Sequence, residues 1–122
     1  MERAGNRVIA VVGDLFFKSK IAQTAGILGV PIVFATTEAS LREALSDGGV
    51  SLVVVDLGVR SIEPAAAIAI ARAASGVRSV AFASHVDEEA QRRAREAGCD
   101  QVMAKSAFTR DLALILESGV AG

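Results

Sequence analysis

Tryptophan and tyrosine are missing from this 122-residue chain, which has five phenylalanines, one cysteine, one histidine and two prolines. A single cysteine excludes an intramolecular disulfide and a cysteine-based zinc site. The polar residues 1–7 are not followed by the apolar core of a signal peptide, and no apolar run approaches the length of a membrane span. From these absences we expect a cytoplasmic protein that makes no use of a membrane.

An excess of charge of one sign is also lacking, because 13 basic residues are balanced by 14 acidic ones and the formal net charge is -1. A nucleic-acid-binding domain normally has a basic surface, so we expect no nucleic-acid partner. Hydrophobic residues make up 52% of the chain and charged residues 22%, a composition typical of a domain with a packed core. Residues 1–122 are predicted to form one domain, with its core between about 7 and 117.

Five short apolar runs, each followed by a helical or loop-like stretch, organise the chain. The runs at 7–12 and 50–55 are continuous and rich in β-branched residues, as in strands buried on both faces. Further strands are predicted at 31–35, 79–83 and 101–104, and helices at 15–28, from a cap at Thr37 through Leu45, and at 64–75, 88–97 and 109–118. The alternation predicts an α/β fold, a (βα)5 three-layer sandwich around a parallel five-stranded sheet.

Polar residues follow four of these strands, at the sheet edge where parallel α/β folds bind their ligands. Asp14 follows the first strand and Asp56 the third, while Ser84 and Lys105 follow the fourth and fifth. In a flavodoxin-like sheet of order 2-1-3-4-5 these strands are consecutive, so the four side chains converge on one rim. The two carboxylates can bind Mg²⁺, which prefers oxygen ligands, and a carboxylate can accept a phosphoryl group. Lys105 can also simply neutralise the two acids.

These motifs resemble the receiver domain of bacterial two-component response regulators, the CheY-like superfamily. The likeness spans residues 7–117 and rests on GD after the first strand, VVVD at the third, FAS at the fourth, REAGCDQVMAK around the fifth, and FTRDL in the last helix. By this resemblance Asp56 is the phosphoacceptor, and Mg²⁺ is held by Asp14, Asp56 and the Gly58 carbonyl. Ser84 corresponds to the switch hydroxyl and Lys105 to the invariant lysine.

The resemblance also implies what such a domain does. It implies a stand-alone signalling domain that receives its phosphoryl group from a histidine kinase, or acts with another signalling protein. Such a domain is expected to have no enzyme activity beyond, at most, its own phosphorylation and dephosphorylation on Asp56. The fourth helix, fifth strand and fifth helix together correspond to the surface where receivers commonly dimerise or bind partners. This surface is the predicted site of a homodimer.

The sequence departs from the receiver pattern at several positions. Gly13 replaces the first of two acids after the first strand, which predicts weaker Mg²⁺ binding. Ser106 follows the lysine in place of proline, Val102 takes the aromatic switch position, and Val59-Arg60 replaces methionine-proline. These departures favour a second hypothesis, a pseudo-receiver that acts as a protein-interaction module without phosphorylation. A third hypothesis, a small-molecule-binding flavodoxin-like domain, lacks a glycine-rich phosphate loop to support it.

Four further side chains lie near the predicted rim or the last strand. His85 is expected to be a loop residue beside the pocket, and Cys99 a small buried side chain rather than a nucleophile. Helical spacing places Phe17 on the inner face of the first helix, which leaves Phe16 partly exposed near the pocket.

Overall fold

The structure is a computed structural model that describes residues 5–118, so most of the polar N-terminal segment considered above lies outside it. The strands are β1 (Arg7–Val11), β2 (Ile32–Phe34), β3 (Val50–Asp56), β4 (Arg78–Ala83) and β5 (Gln101–Ala104). The helices are α1 (Leu15–Leu28), α2 (Glu38–Ser46), α3 (Pro64–Ala73), α4 (Glu88–Glu96), α5 (Lys105–Arg110) and α6 (Leu112–Ser118). Among residues 5–118, no helix is both long enough and apolar enough to cross a membrane.

The five strands form one parallel sheet of order β2-β1-β3-β4-β5, which confirms the predicted flavodoxin-like topology. The ladder pairs Asp56 with Phe82 and Ala83 with Ala104. The ends of β3, β4 and β5 therefore lie side by side at one edge of the sheet. The polar residues that follow these strands are brought to that edge by the strand order alone.

Alternate residues of the central strands enter two separate cores, one on each face of the sheet. Ile9 and Val11 pack with residues of α2, α3 and α4, whereas Val8 and Ala10 pack with residues of α1, α5 and α6. The period of two follows from the pleat of the strands. Helices thus cover both faces of the sheet, as the continuous apolar strands predicted.

The last helical segment is the one element that the sequence placed wrongly. Instead of a helix at 109–118, α5 begins at Lys105 directly after β5, and Asp111 separates it from α6. The residue before α5 is Ala104, whose methyl side chain cannot accept a capping hydrogen bond, so no cap residue marks the start of the helix. Thr109 has the side chain of a cap residue, but its hydroxyl donates to the Lys105 carbonyl at 2.8 Å inside the helix. The other predicted bounds agree to within two residues, the largest difference being the end of α3 at Ala73.

Candidate functional site

Asp14 caps the N-terminus of α1 at the point where the chain leaves β1. Its Oδ1 accepts hydrogen bonds from the backbone N–H groups of Phe16, at 2.9 Å, and Phe17, at 3.3 Å. Its backbone is extended, as is usual for a capping residue. The side chain remains 49% exposed. Oδ1 therefore binds the start of the helix, while Oδ2 lies on the side of Lys105.

Asp56 ends β3, and its carboxylate is held by the turn that follows. The Gly58 N–H donates to Asp56 Oδ1 at 2.8 Å, and the Val59 N–H donates to the Asp56 carbonyl at 3.0 Å. A Cβ at position 58 would lie only 3.3 Å from Asp56 Oδ1, so glycine suits this tight turn. The second carboxylate oxygen, Oδ2, accepts no hydrogen bond from residues 5–118. Only one of the two carboxylate oxygens is therefore held by the turn.

The two acids line one open cleft of about 410 Å3. Its lining residues are Gly13, Asp14, Asp56, Gly58, Val59, Arg60 and Ser61. The three residues predicted to hold a metal ion, Asp14, Asp56 and Gly58, therefore share a cavity. Their donors are all oxygens, which suits a hard cation such as Mg²⁺ that keeps several waters of its own. Within the described part of the chain, no three acidic, histidine or cysteine side chains form a metal-binding group.

Gly13 is not required by the backbone at its position in the cleft. Its φ lies outside the left-handed region that favours glycine. A Cβ at position 13 would meet only Val59 Cγ2, at 3.7 Å, which is an ordinary van der Waals contact. The fold can therefore accept a second acid beside Asp14, although this sequence does not supply one.

Lys105, the first residue of α5, reaches the same edge of the sheet on the side of Asp14. Its Nζ lies 3.9 Å from Asp14 Oδ2 and 4.6 Å from the centroid of the Phe17 ring. The distance to Asp14 is too long for a hydrogen bond. Among the ion pairs of residues 5–118, Lys105 is paired with Asp14 and not with Asp56. The structure thus brings the predicted lysine to the first acid and not to the second.

Ser84 follows β4 and is exposed. Its carbonyl accepts hydrogen bonds from the Asp87 N–H, at 2.9 Å, and from Gln91 Nε2, at 3.2 Å. Its hydroxyl makes no hydrogen bond to any residue from 5 to 118, and the residue is not part of the cleft lining. Because Ala83 pairs with Ala104, Ser84 and Lys105 leave neighbouring strands at the same level. Ser84 therefore lies at the same edge of the sheet as Lys105, and its hydroxyl has no partner among residues 5–118.

An aromatic cluster under the rim is the part of the site that sequence reasoning missed. The rings of Phe82 and Phe108 stack with centroids 4.4 Å apart. Phe17 meets Phe82 edge-on at 5.1 Å and tilts against Phe108 at 5.9 Å. Spacing correctly assigned Phe17 to the core, where it is 5% exposed against 85% for Phe16. No local signal in the sequence indicates that this ring also meets the ammonium of Lys105, because the two residues are distant along the chain.

The remaining singled-out residues lie away from the acidic cleft. His85 is exposed and borders a polar cleft along α4. Val102 packs on the core that α2, α3 and α4 share with the sheet. Cys99 is partly buried, and its Sγ lies 3.2 Å from the Gln101 carbonyl oxygen. Burial raises the pKa of the Cys99 thiol, and the neighbouring Asp100 carboxylate acts in the same direction. A thiol of this kind is a small packing side chain, as predicted, and a poor nucleophile.

The chain resembles known proteins in its structure and not in its sequence. No protein-family model matches this chain, and no curated protein has a sequence similar enough to be matched. Solved structures do resemble it. One is the receiver domain of the sensor histidine kinase PA1611 from Pseudomonas aeruginosa, which has a magnesium ion in its active-site cleft. It is 16% identical, with 93% of this chain and 95% of that chain covered and a TM-score of 0.76.

Two further similar structures are a phosphorylated response regulator and an activated receiver domain. A response regulator from Burkholderia pseudomallei, with a phosphorylated aspartic acid and a calcium ion, is 15% identical over 93% of this chain and 67% of that chain, with a TM-score of 0.75. The beryllofluoride-activated receiver domain dimer of NtrC4 is 14% identical over 91% of this chain and 93% of that chain, with a TM-score of 0.74. The chain therefore has the fold of a response regulator receiver domain.

Proposed function

We propose that this domain is a receiver-like signalling module, which accepts a phosphoryl group on Asp56 and thereby changes its binding to a protein partner. The observation that carries the proposal is the shared cleft of Asp14 and Asp56. In it, Asp56 keeps one carboxylate oxygen free while the other is fixed by the Gly58 N–H. A nucleophile that is anchored at one oxygen and open at the other is positioned for transfer to phosphorus.

The bonds that change are those of the Asp56 carboxylate and of a donor with a labile bond to phosphorus. The free Oδ2 of Asp56 attacks the phosphorus, and the bond from phosphorus to the donor breaks, with its electron pair leaving on the donor. With phosphohistidine that bond is P–N and imidazole leaves; with an acyl phosphate it is P–O and a carboxylate leaves. The Lys105 ammonium, on the Asp14 side of the cleft, offsets negative charge that gathers on the phosphoryl oxygens. Ser84, whose hydroxyl is free, is the proposed second donor to those oxygens.

Asp14, Asp56 and the Gly58 carbonyl are the proposed ligands of a divalent cation, most simply Mg²⁺. When bound, such an ion would offset the negative charge of the two acids and of the phosphoryl group. The donor set is compatible with this role because it consists of oxygens around one open cleft. Because Asp14 makes its hydrogen bonds to α1 through Oδ1, Oδ2 is the atom that would hold the ion. The magnesium in the Pseudomonas receiver and the calcium in the Burkholderia regulator are in line with this proposal.

A pseudo-receiver is the second candidate function, and particular residues favour it. Gly13 leaves the cleft with one acid fewer than the receiver pattern. Lys105 lies near Asp14 rather than Asp56. Val102 packs in the core and has no aromatic ring to reorient. In this alternative the domain binds its partner through the same surfaces without covalent modification.

We further propose a histidine kinase, or another phosphorylated signalling protein, as the source of the phosphoryl group, and the cytoplasm as the place of transfer. A homodimer through α4, β5 and the helix predicted at 109–118, most of which is α6 in the structure, stays a prediction. The dimer formed by the activated NtrC4 receiver makes it reasonable. The charged outer face of α4, where Glu89 pairs with Arg92 and Arg93, and the edge position of β5 are the features that such an interface would use.

The deciding experiment is incubation of the protein with Mg²⁺ and a small acyl phosphate, followed by intact-mass measurement. We expect a gain of one phosphoryl group that is absent from Asp56→Asn and strongly reduced in Asp14→Asn. Amide NMR with Mg²⁺ and beryllofluoride should shift resonances around Asp14 and Asp56. An unmodified wild type with no Mg²⁺-dependent shifts would leave the pseudo-receiver as the better description. A chromophore that co-purifies with the protein would contradict both and favour the small-molecule-binding alternative.

A further inference from the structure

We infer that Phe17 is a positioning residue for Lys105, and that its ring holds the ammonium at the mouth of the acidic cleft. The inference rests on the proposed function for the consequence of that position, but the contact itself is a property of the structure. The Phe17 ring centroid lies 4.6 Å from Lys105 Nζ. That distance is within the range in which an aromatic face attracts a cation.

The ring is fixed from below and cannot easily turn away from the ammonium. Phe17 is 5% exposed, and its ring is held by the edge-on contact with Phe82 and the tilted contact with Phe108. Its backbone N–H also donates to Asp14 Oδ1. One residue therefore contacts the first acid through its backbone and the lysine through its side chain.

The ammonium needs such support because its other contacts are weak. The first position of a helix is the end where a positive charge is least favourable, and Lys105 opens α5. Asp14 Oδ2 is 3.9 Å away, and both side chains are about half exposed, so the ion pair by itself contributes little. The Phe17 ring, in contrast, carries no net charge. A cation bound at Asp14 would repel the lysine but would not remove its attraction to the ring.

The arrangement keeps the lysine ammonium close to Asp14 and available for a further contact. Since no hydrogen bond ties Nζ to Asp14, its N–H donors remain free for the oxygens of a phosphoryl group. Removal of the ring should let the flexible side chain spread over many rotamers. The expected loss is about two- to fivefold in the rate of Asp56 phosphorylation, which corresponds to the ~0.5–1 kcal/mol of an exposed cation–π contact.

The test uses Phe17→Leu, which keeps an apolar side chain, and Phe17→Tyr, which keeps the aromatic face. Phe16→Leu is the matched control, because that ring is the next residue along the chain and is 85% exposed. The chain has three lysines, Lys18, Lys20 and Lys105. Protein labelled with ¹³C at the lysine Cε therefore gives a simple NMR spectrum, in which ring currents report directly on the contact.

In the wild type, the Lys105 Hε resonance should lie upfield of the Lys20 resonance, and it should stay there in Phe16→Leu and Phe17→Tyr. In Phe17→Leu it should move to the Lys20 position, while Lys18, whose Nζ lies 5.6 Å from the Phe34 ring, should not move. A wild-type Lys105 resonance without an upfield shift would overturn the inference. This measurement uses the wild-type protein alone, so it does not depend on whether the variants fold.

Phosphorylation by a small acyl phosphate supplies the second readout. Phe17→Leu should react two- to fivefold more slowly than Phe16→Leu, and Phe17→Tyr should react at the wild-type rate. An unchanged rate in a folded Phe17→Leu that has lost its ring shift would refute the positioning role. If the wild type itself takes up no phosphoryl group, the proposed function fails, and the ring shift still decides whether Phe17 holds Lys105.

Discussion

Restoring a second acid at position 13 is the sharpest way to test whether the cleft is built for a divalent cation. The structure allows Gly13→Asp, because the backbone there is not left-handed and the new Cβ meets only Val59 Cγ2 at 3.7 Å. The added carboxylate would be the immediate neighbour of Asp14 and would line the same cleft as Asp56. The change therefore adds charge to the site with little disturbance of packing.

The size of the effect follows from Coulomb's law. Two unit charges about 4 Å apart interact by ~1 kcal/mol in water, so a carboxylate and a divalent ion at that distance gain ~2 kcal/mol. If a water molecule separates them, the distance roughly doubles and the gain falls to ~1 kcal/mol. At 1.4 kcal/mol for each factor of ten, Mg²⁺ affinity should rise by about 5- to 30-fold. Attraction between the new carboxylate and Lys105 would compete with Mg²⁺ binding and bring the gain in affinity closer to fivefold.

The assay is a Mg²⁺ titration followed by the amide resonances of Asp14 and Asp56, with calorimetry as a second measurement. Gly13→Asn is the matched control, since it has nearly the same size and shape and no charge. We expect Gly13→Asn to bind Mg²⁺ as the wild type does and Gly13→Asp to bind it more tightly. Equal affinities for the Asp and Asn variants would refute the idea that this cleft binds cations through its acids.

Three further predictions concern stability. Asp14→Ala should destabilise the fold by about 1 kcal/mol because α1 loses its cap, whereas Asp14→Asn should retain the cap, so chemical denaturation separates the structural role of Asp14 from its proposed metal role. Asp100→Ala should lower the free energy of unfolding by about 1–3 kcal/mol, since it leaves the N–H of the buried Ser79 without its 2.8 Å acceptor. Asp100→Asn should lower it by less. Equal midpoints of urea unfolding for the wild type and the two variants would contradict this prediction. Hydrogen bonds from Arg92, and to a smaller extent from Arg93, lower the pKa of Glu89 below its ordinary value of 4.5. The contribution of Glu89 to the stability of the fold is therefore present above pH 4.5 and is lost as the pH falls through the lowered pKa. Thermal melting should therefore show Glu89→Gln slightly less stable at pH 7, with the difference vanishing in acid and shrinking in high salt.

Much of the fold could be predicted from the sequence because its strands are buried on both faces. Such strands appear as unbroken aliphatic runs, and the one that ends in Asp56 is the clearest example. The helices between them end at glycines that take up left-handed backbone, such as Gly29 after α1 and Gly98 after α4. Once the alternation of strands and helices is known, the right-handed crossover rule leaves few arrangements, and the order β2-β1-β3-β4-β5 is one of them.

The same reasoning correctly placed Asp14 and Asp56, because a polar residue at the end of a buried strand must lie at the sheet edge. It could not place the start of α5. Ala104 carries no capping signal, and α5 begins at Lys105 directly where the pairing of β5 with β4 ends. A boundary set by packing between distant elements leaves no local mark in the sequence.

The chain by itself thus determined which residues reach the rim, since periodicity and strand ends are local properties. Only the tertiary structure decided how they pair. Lys105 lies beside Asp14 and over Phe17, and the three phenylalanines under the rim form one cluster because α1, β4 and α5 meet on one face of the sheet. Contacts of this kind join residues far apart in sequence, and their distances depend on how whole helices pack, which no local pattern of residues encodes.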